Sequence, residues 1–445
     1  MKEQQDFSRG SMARNIMTMA VPMTVAQMTN VLYNLTDRFF IGHIPGASSM
    51  GLTGVGIVFP IISAITAFTN LFGMGGAPLC AIARGRKDDA LAERIIGASC
   101  YMLLVTALVL TAVGVVFMRP LLYAFGASPE TYGYARDYFS VYIWGTPFAM
   151  LSLGMNGFIN SQGFGRAGMV TITAGAVVNV VLDPVFIFLL GMGIRGAALA
   201  TLLSQILAAA WVVRFLTGDR TVLKLRRAHI RWQPDILKES VKLGFSFFVR
   251  SFTNSVVQFS YNNALQTLGG DVYVGAMTVI NSVQEVVTTP ANGLTGGAQP
   301  VLGYNYGAKA YKRVKKGILF TTWICVAYML VAWGVVFLFP EQLISIFNDS
   351  PQLVEVGARM MHIYFFGFCF MGLQIAGQST FSALGKARYA VFFAVFRKIV
   401  VVVPLIHILP PFLGVEGVLW AEPISNLVGG SACLITMMLT LWRKL

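Results

Sequence analysis

GGAPLCAIARGRK at residues 75–87 and GAQPVLGYNYGAK at residues 297–309 are two readings of one motif, set 222 positions apart. Within them Gly75, Pro78, Gly85 and Lys87 fall on Gly297, Pro300, Gly307 and Lys309. The same offset pairs Ser128-Pro129 with Ser350-Pro351, Tyr142 with Tyr364, Gly145 with Gly367, and Gly163 with Gly385. Small slips bring Thr29-Asn30 onto Thr253-Asn254 and Ser204 onto Ser425. A register held this far points to a duplicated unit, residues 14–218 and 236–441, with six apolar segments in each copy.

The chain has 445 residues, of which 56% are hydrophobic and 12% charged, and its mean hydropathy is +0.68. That balance excludes a solvated globule and requires a bilayer. A membrane helix needs roughly 20 apolar residues. Twelve segments meet this, near 15–40, 52–76, 95–118, 137–160, 168–190, 196–216, 241–266, 274–300, 317–339, 360–383, 389–409 and 415–441. Six is an even number, so both copies enter from the same side. The expected fold is therefore an all-α integral membrane protein, twelve transmembrane helices in two six-helix bundles related by a pseudo-two-fold along the membrane normal. The expected domains are an N-terminal bundle at 1–218, a cytoplasmic linker at 219–235 and a C-terminal bundle at 236–445.

Lys and Arg collect in cytoplasmic loops. With the amino terminus inside, loop positions leave only Arg119, Arg136, Arg195 and Arg359 outside. Both termini are then cytoplasmic, in a multi-pass protein of the plasma membrane. The net charge of +14 is spread over separate loops, so it offers no contiguous basic face and implies no nucleic-acid partner. The longest basic stretch, Arg214 to Lys242, reads as a linker resting on anionic lipid or as a solvated loop. Five scattered cysteines within apolar segments fit neither a disulfide framework nor a zinc site, and the first 13 residues carry no cleavable signal.

Gly163-Phe164-Gly165-Arg166-Ala167-Gly168 matches a dinucleotide fingerprint by letter but joins two membrane segments, where no strand aims it at a phosphate. No nucleotide-binding lysine loop, serine elbow or paired-histidine motif occurs, so no enzyme and no organic cofactor is expected. His43, His362 and His407 read as interfacial or satisfied groups.

Polar residues inside apolar segments are the informative ones, because an ionisable side chain there is costly unless it is paired or hydrated. In the first segment Gln27, Asn30, Asn34 and Asp37 recur at three, four and three, one helical face. In the fifth, Asn179 and Asp183 stack four apart, followed by Pro184. Asp37 lies near the outer end of its helix, Asp183 about two turns below its own, and Thr201 about one turn into the sixth. The acids are not duplicated: Asp37 falls on Tyr261, and Asp183 on Val403. Two acids in one small volume suit exchangeable binding of a proton or Na⁺, since burial and mutual repulsion disfavour the doubly charged pair. A polar clamp between helices is the simpler alternative. Arg38, beside Asp37, points elsewhere around the helix.

In the second half Asn254, Gln258 and Asn262 are spaced by four, while Asn281, Gln284, Glu285 and Thr288 line the eighth segment and Gln374 and Gln378 the tenth. Glu285 reads as the only acid near the membrane centre of this half. Gln27, Asn30, Asn34, Asn254, Gln258, Asn281, Glu285, Gln374 and Gln378 are the substrate-cavity candidates. Pliable apolar residues such as Met23, Phe68, Met150, Met155 and Phe158 permit varied ligands.

Pro22, Asp37, Asn179-x-x-x-Asp183-Pro184, and Gly297-Ala298-Gln299-Pro300 running into Gly303-Tyr304-Asn305-Tyr306-Gly307-Ala308 together resemble the multidrug and toxic compound extrusion (MATE) transporters, in the bacterial branch typified by DinF and MepA. The resemblance covers essentially the whole chain. It implies secondary active efflux of small cationic amphipathic compounds by alternating access, by a protein acting as a monomer in membrane lipid, with H⁺ or Na⁺ as coupling ion and no metal cofactor. The implied ion site is Asp37, Asn179, Asp183 and Thr201, with Asn156 in the fourth segment, and Na⁺ would sit at Asp37 and Asp183. Pro22 would let the first helix bend. The chain has no acid in its tenth segment to join Glu285, a departure from other branches. The rival reading is a lipid-linked precursor flippase of the same superfamily, which inward-facing Arg250, Arg397 and Lys398 would favour.

Overall fold

The computed structural model describes residues 4–44, 48–346 and 351–443. The Arg38 side chain and Ser350 lie outside the described residues. Twelve crossing segments account for almost all of the chain. They are α1 (Met12–Gly42), α2 (Ser48–Gly85), α3 (Asp89–Val116), α4 (Tyr132–Tyr142 and Thr146–Ser161), α5 (Gly165–Pro184) and α6 (Gly193–Thr217), then α7 (Pro234–Gly269), α8 (Asp271–Gly307), α9 (Tyr311–Leu338), α10 (Pro351–Tyr364 and Cys369–Ala383), α11 (Ala387–Val395, continued to Ile408) and α12 (Val415–Met437). Among the described residues seven of these are long and apolar enough to cross a membrane, and the two parts of α10, bent by 56°, make an eighth. α1, α7 and α8 are as long but carry the polar stripes, and α4 is divided by a tight turn at Ile143–Gly145.

The duplication shows in the backbone. Lys87 and Lys309, equivalent by sequence, both hold the left-handed conformation, with φ of 62° and 57°. Gly163 and Gly385 repeat this at 91° and 69°. An L residue in that region is unusual enough that finding the same exception twice marks one inherited turn.

Proline shapes the long helices. It lacks an N–H and clashes with the carbonyl one turn before it, so the chain must loosen there. α5 passes at Pro184 into a wide π turn, Val185–Leu189, and α11 runs through Phe396–Val402 in the same form before Pro404. Both wide turns stand beside candidate polar sites, a common use of this element.

By packing, the chain divides into two units, Met1–Asp6 with Val25–Gly244 and Phe7–Thr24 with Phe245–Leu445. The start of α1 therefore belongs with the second unit, and the start of α7 with the first. Two equivalent glycines explain how. A Cβ on Gly75 would meet the Ser240 and Gly244 backbone of α7, and one on Gly297 would meet the Ala20 backbone of α1. Each unit thus takes the start of the first helix of the other repeat into a groove that only glycine leaves open. Gly297→Val is expected to lose stability toward the upper end of the roughly 1–3 kcal/mol typical of overpacking. Gly334→Val, where nothing lies within 4 Å, is the control. Thermal unfolding in detergent should lower the midpoint of the first variant alone.

The core of the first unit is built around Phe72, Tyr138, Phe139 and Phe158, and that of the second around Tyr261, Tyr364, Phe365 and Phe368, with a further cluster holding Ile16, Met19 and Leu302. Met150, Met155 and Phe158 are fully buried core groups, which removes them as pliable ligand surface. Large apolar side chains such as Leu32, Leu108, Phe252, Phe259 and Trp323 are exposed, as a lipid-facing surface requires.

Candidate ion and substrate sites

In the first unit four of the five expected ion-site residues come together. Asp183 and Asn179 are fully buried on α5, Thr201 is buried on α6, and Asp37 is buried near the end of α1. The Asp37 and Asp183 carboxyl groups are near enough to interact electrostatically. Asn156 is buried on α4, and its Oδ1 has no hydrogen-bond partner among the described residues.

The Asn179 amide sits between Asp183 and Thr201. Its nitrogen donates to Asp183 Oδ2 at 3.0 Å, and its oxygen accepts from Thr201 Oγ1 at 3.2 Å and from the Thr201 backbone N–H at 3.1 Å. That arrangement suits the carboxylate and fixes it against α6.

Sequence reading missed the phenols around these groups. Tyr33 on α1 and Tyr138 on α4 approach the Thr201 side chain and lie in the field of Asp37. Tyr142 reaches Gln205. The available signal was spacing by four: Tyr33 with Asp37, Tyr138 with Tyr142, and Thr201 with Gln205 each share a helical face.

Among the substrate-cavity candidates Asn30, Asn34, Asn254 and Glu285 are exposed, while Gln27, Gln258, Asn281 and Gln378 are half-buried. Gln258 donates to Asn262 at 3.4 Å. Pro22 is buried in α1. Gln374 is buried rather than facing an open surface, donating to the Phe393 carbonyl at 3.4 Å. Its oxygen and the Arg397 side chain both border the space a Cβ on Gly429 would fill, at 2.9 and 3.0 Å.

Glu285 is exposed, and a buried acid of the second half that sequence reading did not single out is Glu422 on α12. Its Oε1 accepts from Arg397 at 2.9 Å and from Lys398 at 3.4 Å. Arg397 also donates to Asn426, one turn beyond. Two consecutive basic residues converge on one carboxylate because they lie in the wide turn of α11, where neighbouring side chains diverge less than in an α-helix. Tyr261 and Tyr364 lie in the field of both Glu422 and Arg397, their rings meeting edge-on at 6.0 Å, and Tyr364 donates to Gln284 at 3.2 Å.

The two sites are repeat equivalents. At offset 221 Thr201 falls on Glu422 and Gln205 on Asn426, at 222 Tyr142 falls on Tyr364, and at 224 Asp37 falls on Tyr261. One frame was kept and its charges were exchanged. Among the described residues no group of three or more His, Cys, Asp or Glu is arranged to hold a metal ion. His43, His362 and His407 each bond a backbone carbonyl, at 2.8, 3.0 and 2.8 Å.

A sequence model described as MatE matches residues 22–185 and 247–408. The multidrug export protein MepA of Staphylococcus saprophyticus is 25% identical over 99% of this chain and 96% of its own. A solved structure described as the outward-facing conformation of a multidrug resistance MATE family transporter of the MOP superfamily is similar at a TM-score of 0.92 and 23% identity, covering 98% of this chain and 97% of that one. A second, from Pyrococcus furiosus, is described as a MOP superfamily transporter whose binding pocket of reverse polarity suggests a different function. Its TM-score is 0.90 at 23% identity, with 96% of each chain covered.

Proposed function

The chain belongs to the MatE family, and on that premise we propose that it exports small cationic, amphipathic drugs across the plasma membrane in exchange for H⁺ or Na⁺ by alternating access. It is a transporter and not an enzyme. The observation that carries the proposal is the buried set of Asp37, Asn179, Asp183 and Thr201 in one unit. As carboxylates the acids favour a bound cation, and taking up an ion cancels that attraction. Asn179 donates to Asp183, which favours the carboxylate, so ion uptake weakens this bond as well. The relative named for multidrug export supports the substrate class.

α1 gives this switch a mechanical outlet. Pro22 removes one backbone bond, which makes bending cheap, and the helix passes from one packing unit to the other two residues later, between Thr24 and Val25. In this reading the unit acts as a monomer, with both termini cytoplasmic.

The test is a proteoliposome assay of a fluorescent organic cation, imposing a pH gradient and a Na⁺ gradient separately. Dye accumulation driven by one gradient and collapsed by the matching ionophore is the expected result and names the ion. Movement under neither gradient, with folded protein, counts against the proposal. The lipid-linked precursor flippase remains a second reading because Arg397 and Lys398 meet at Glu422 and Arg250 is close enough to Arg397 for their charges to interact. Glu422 counters it by neutralising part of that charge. Inhibition of dye transport by a lipid-linked pyrophosphate would favour the flippase.

A further inference from the structure

At one end of the second unit positive charge goes unanswered. Segments 301–318, 383–390 and 436–443, which the helices α8 to α12 bring to that end, carry eight Lys or Arg and no Asp or Glu. The corresponding loops of the first unit differ: Arg226 meets Glu93 at 2.7 Å, Lys224 meets Asp219 at 2.7 Å and Lys242 meets Glu239 at 2.6 Å. The linker, open by its sequence to lipid contact, thus has part of its charge answered within the protein.

In the second unit several of the cations are engaged elsewhere. Arg313 donates to Asn305 Oδ1 at 2.8 Å and to the Phe7 and Gly10 carbonyls at 3.0 and 2.9 Å. Lys315 lies over the Trp442 ring at 5.5 Å, and Lys386 over the Tyr306 ring at 5.8 Å. Lys312 and Lys316 remain, both exposed and one turn apart on α9, where like charges repel.

Their face continues as Leu319, Trp323, Ala327 and Leu330, all exposed at spacings of three and four. Val314, Ile318, Thr321, Cys325 and Met329 are buried on the opposite face. One side of α9 therefore runs from two cations into an open apolar track. Lys316 to Ala327 covers ~17 Å at ~1.5 Å per residue, near half of the roughly 30 Å hydrocarbon core. That is the outline of one phospholipid, a charged head followed by one leaflet's depth of chain. Tyr311, exposed beside Lys312, and Trp442 under Lys315 mark the head-group level, where aromatic rings collect.

We propose that the Lys312 and Lys316 face of α9 binds an anionic phospholipid, its phosphodiester between the two ammonium groups and an acyl chain along Leu319, Trp323 and Ala327. A single phosphodiester suits side chains one turn apart, and it cancels a repulsion that no acid in these segments relieves. In the orientation proposed above this end is cytoplasmic, where the leaflet surface is negative. The bound lipid fixes the height of α9 in the bilayer, whatever compound the protein carries.

Trp323 reports on this face directly. Its fluorescence, taken as the difference from the matching Trp323→Phe protein, is measured in proteoliposomes of phosphatidylcholine to which brominated phosphatidylglycerol or brominated phosphatidylcholine is added as quencher. Phosphatidylglycerol is expected to quench at the lower mole fraction. Its advantage should fall about fivefold for each of Lys312→Gln and Lys316→Gln, the loss of one cation near a charged surface. Both side chains are exposed, so the variants should fold. Lys238→Gln, an exposed cation of the first unit, should leave the advantage intact. Equal quenching by the two lipids in wild type, an advantage that survives in the double variant, or one that falls as far in Lys238→Gln would each overturn the site. Loss of the advantage on adding glycerol phosphate would overturn it as well, assigning the lysines to a soluble phosphate.

Discussion

Asp183→Asn is expected to cut gradient-driven export roughly 5- to 150-fold, the span of a coupling free energy of about 1–3 kcal/mol, in a protein that still folds. Asparagine is close in shape to the acid but carries no charge, so it stands in for the neutral carboxyl and can neither take up nor release the ion. A site fixed in the neutral state can pass through its cycle only without exchanging the ion. Transport of a dye in proteoliposomes should lose its response to the driving gradient, while thermal unfolding stays near wild type. Asp37→Asn, removing the second charge of the pair, should weaken coupling in the same direction. Export that remains fully gradient-dependent in both variants would remove the acids from the mechanism.

Glu422→Leu should produce the largest stability change. It leaves Arg397 and Lys398 buried with no acid, and breaking a buried pair this way costs about 3–5 kcal/mol. The informative partner is the triple variant Glu422→Leu with Arg397→Met and Lys398→Met. Replacing the whole group with apolar residues should recover most of the loss, because the penalty lies in the orphaned charges. Unfolding in detergent, monitored for both, decides the point. A Glu422→Leu protein that melts with wild type would mean the two cations are hydrated or neutral.

Asp37 and Asp183 were legible in the sequence because an acid inside an apolar run has few other reasons to be there. The duplicated register was legible too, since glycines and prolines at one offset survive divergence elsewhere. Glu422 was not. It lies within two turns of the start of α12, where it reads as helix-end polarity, and its partners stand 25 and 24 residues earlier on another helix. Arg397 and Lys398 were visible as cations in an apolar segment, but whether they faced each other, a cavity or an acid was a tertiary fact. Tyr33, Tyr138 and Tyr142 carried only their spacing by four as a mark, and a phenol in a core can share that spacing. Hydropathy also undervalued α1, α7 and α8, whose apolar runs are interrupted by their polar stripes.

The assignment of Phe7–Thr24 to the second unit sets the order in which the protein can be finished during synthesis. Ile16 and Met19 pack with Ala298, Val301 and Leu302, which leave the ribosome some 280 residues later, roughly 15–60 s at ~5–20 residues per second. The first segment made thus waits, inserted but without its core, until most of the chain exists. The first unit waits as well, for the start of α7 that fills the groove at Gly75. Biogenesis cannot proceed as one finished bundle followed by another; both close late, and a nascent chain stalled at mid-length holds two incomplete cores.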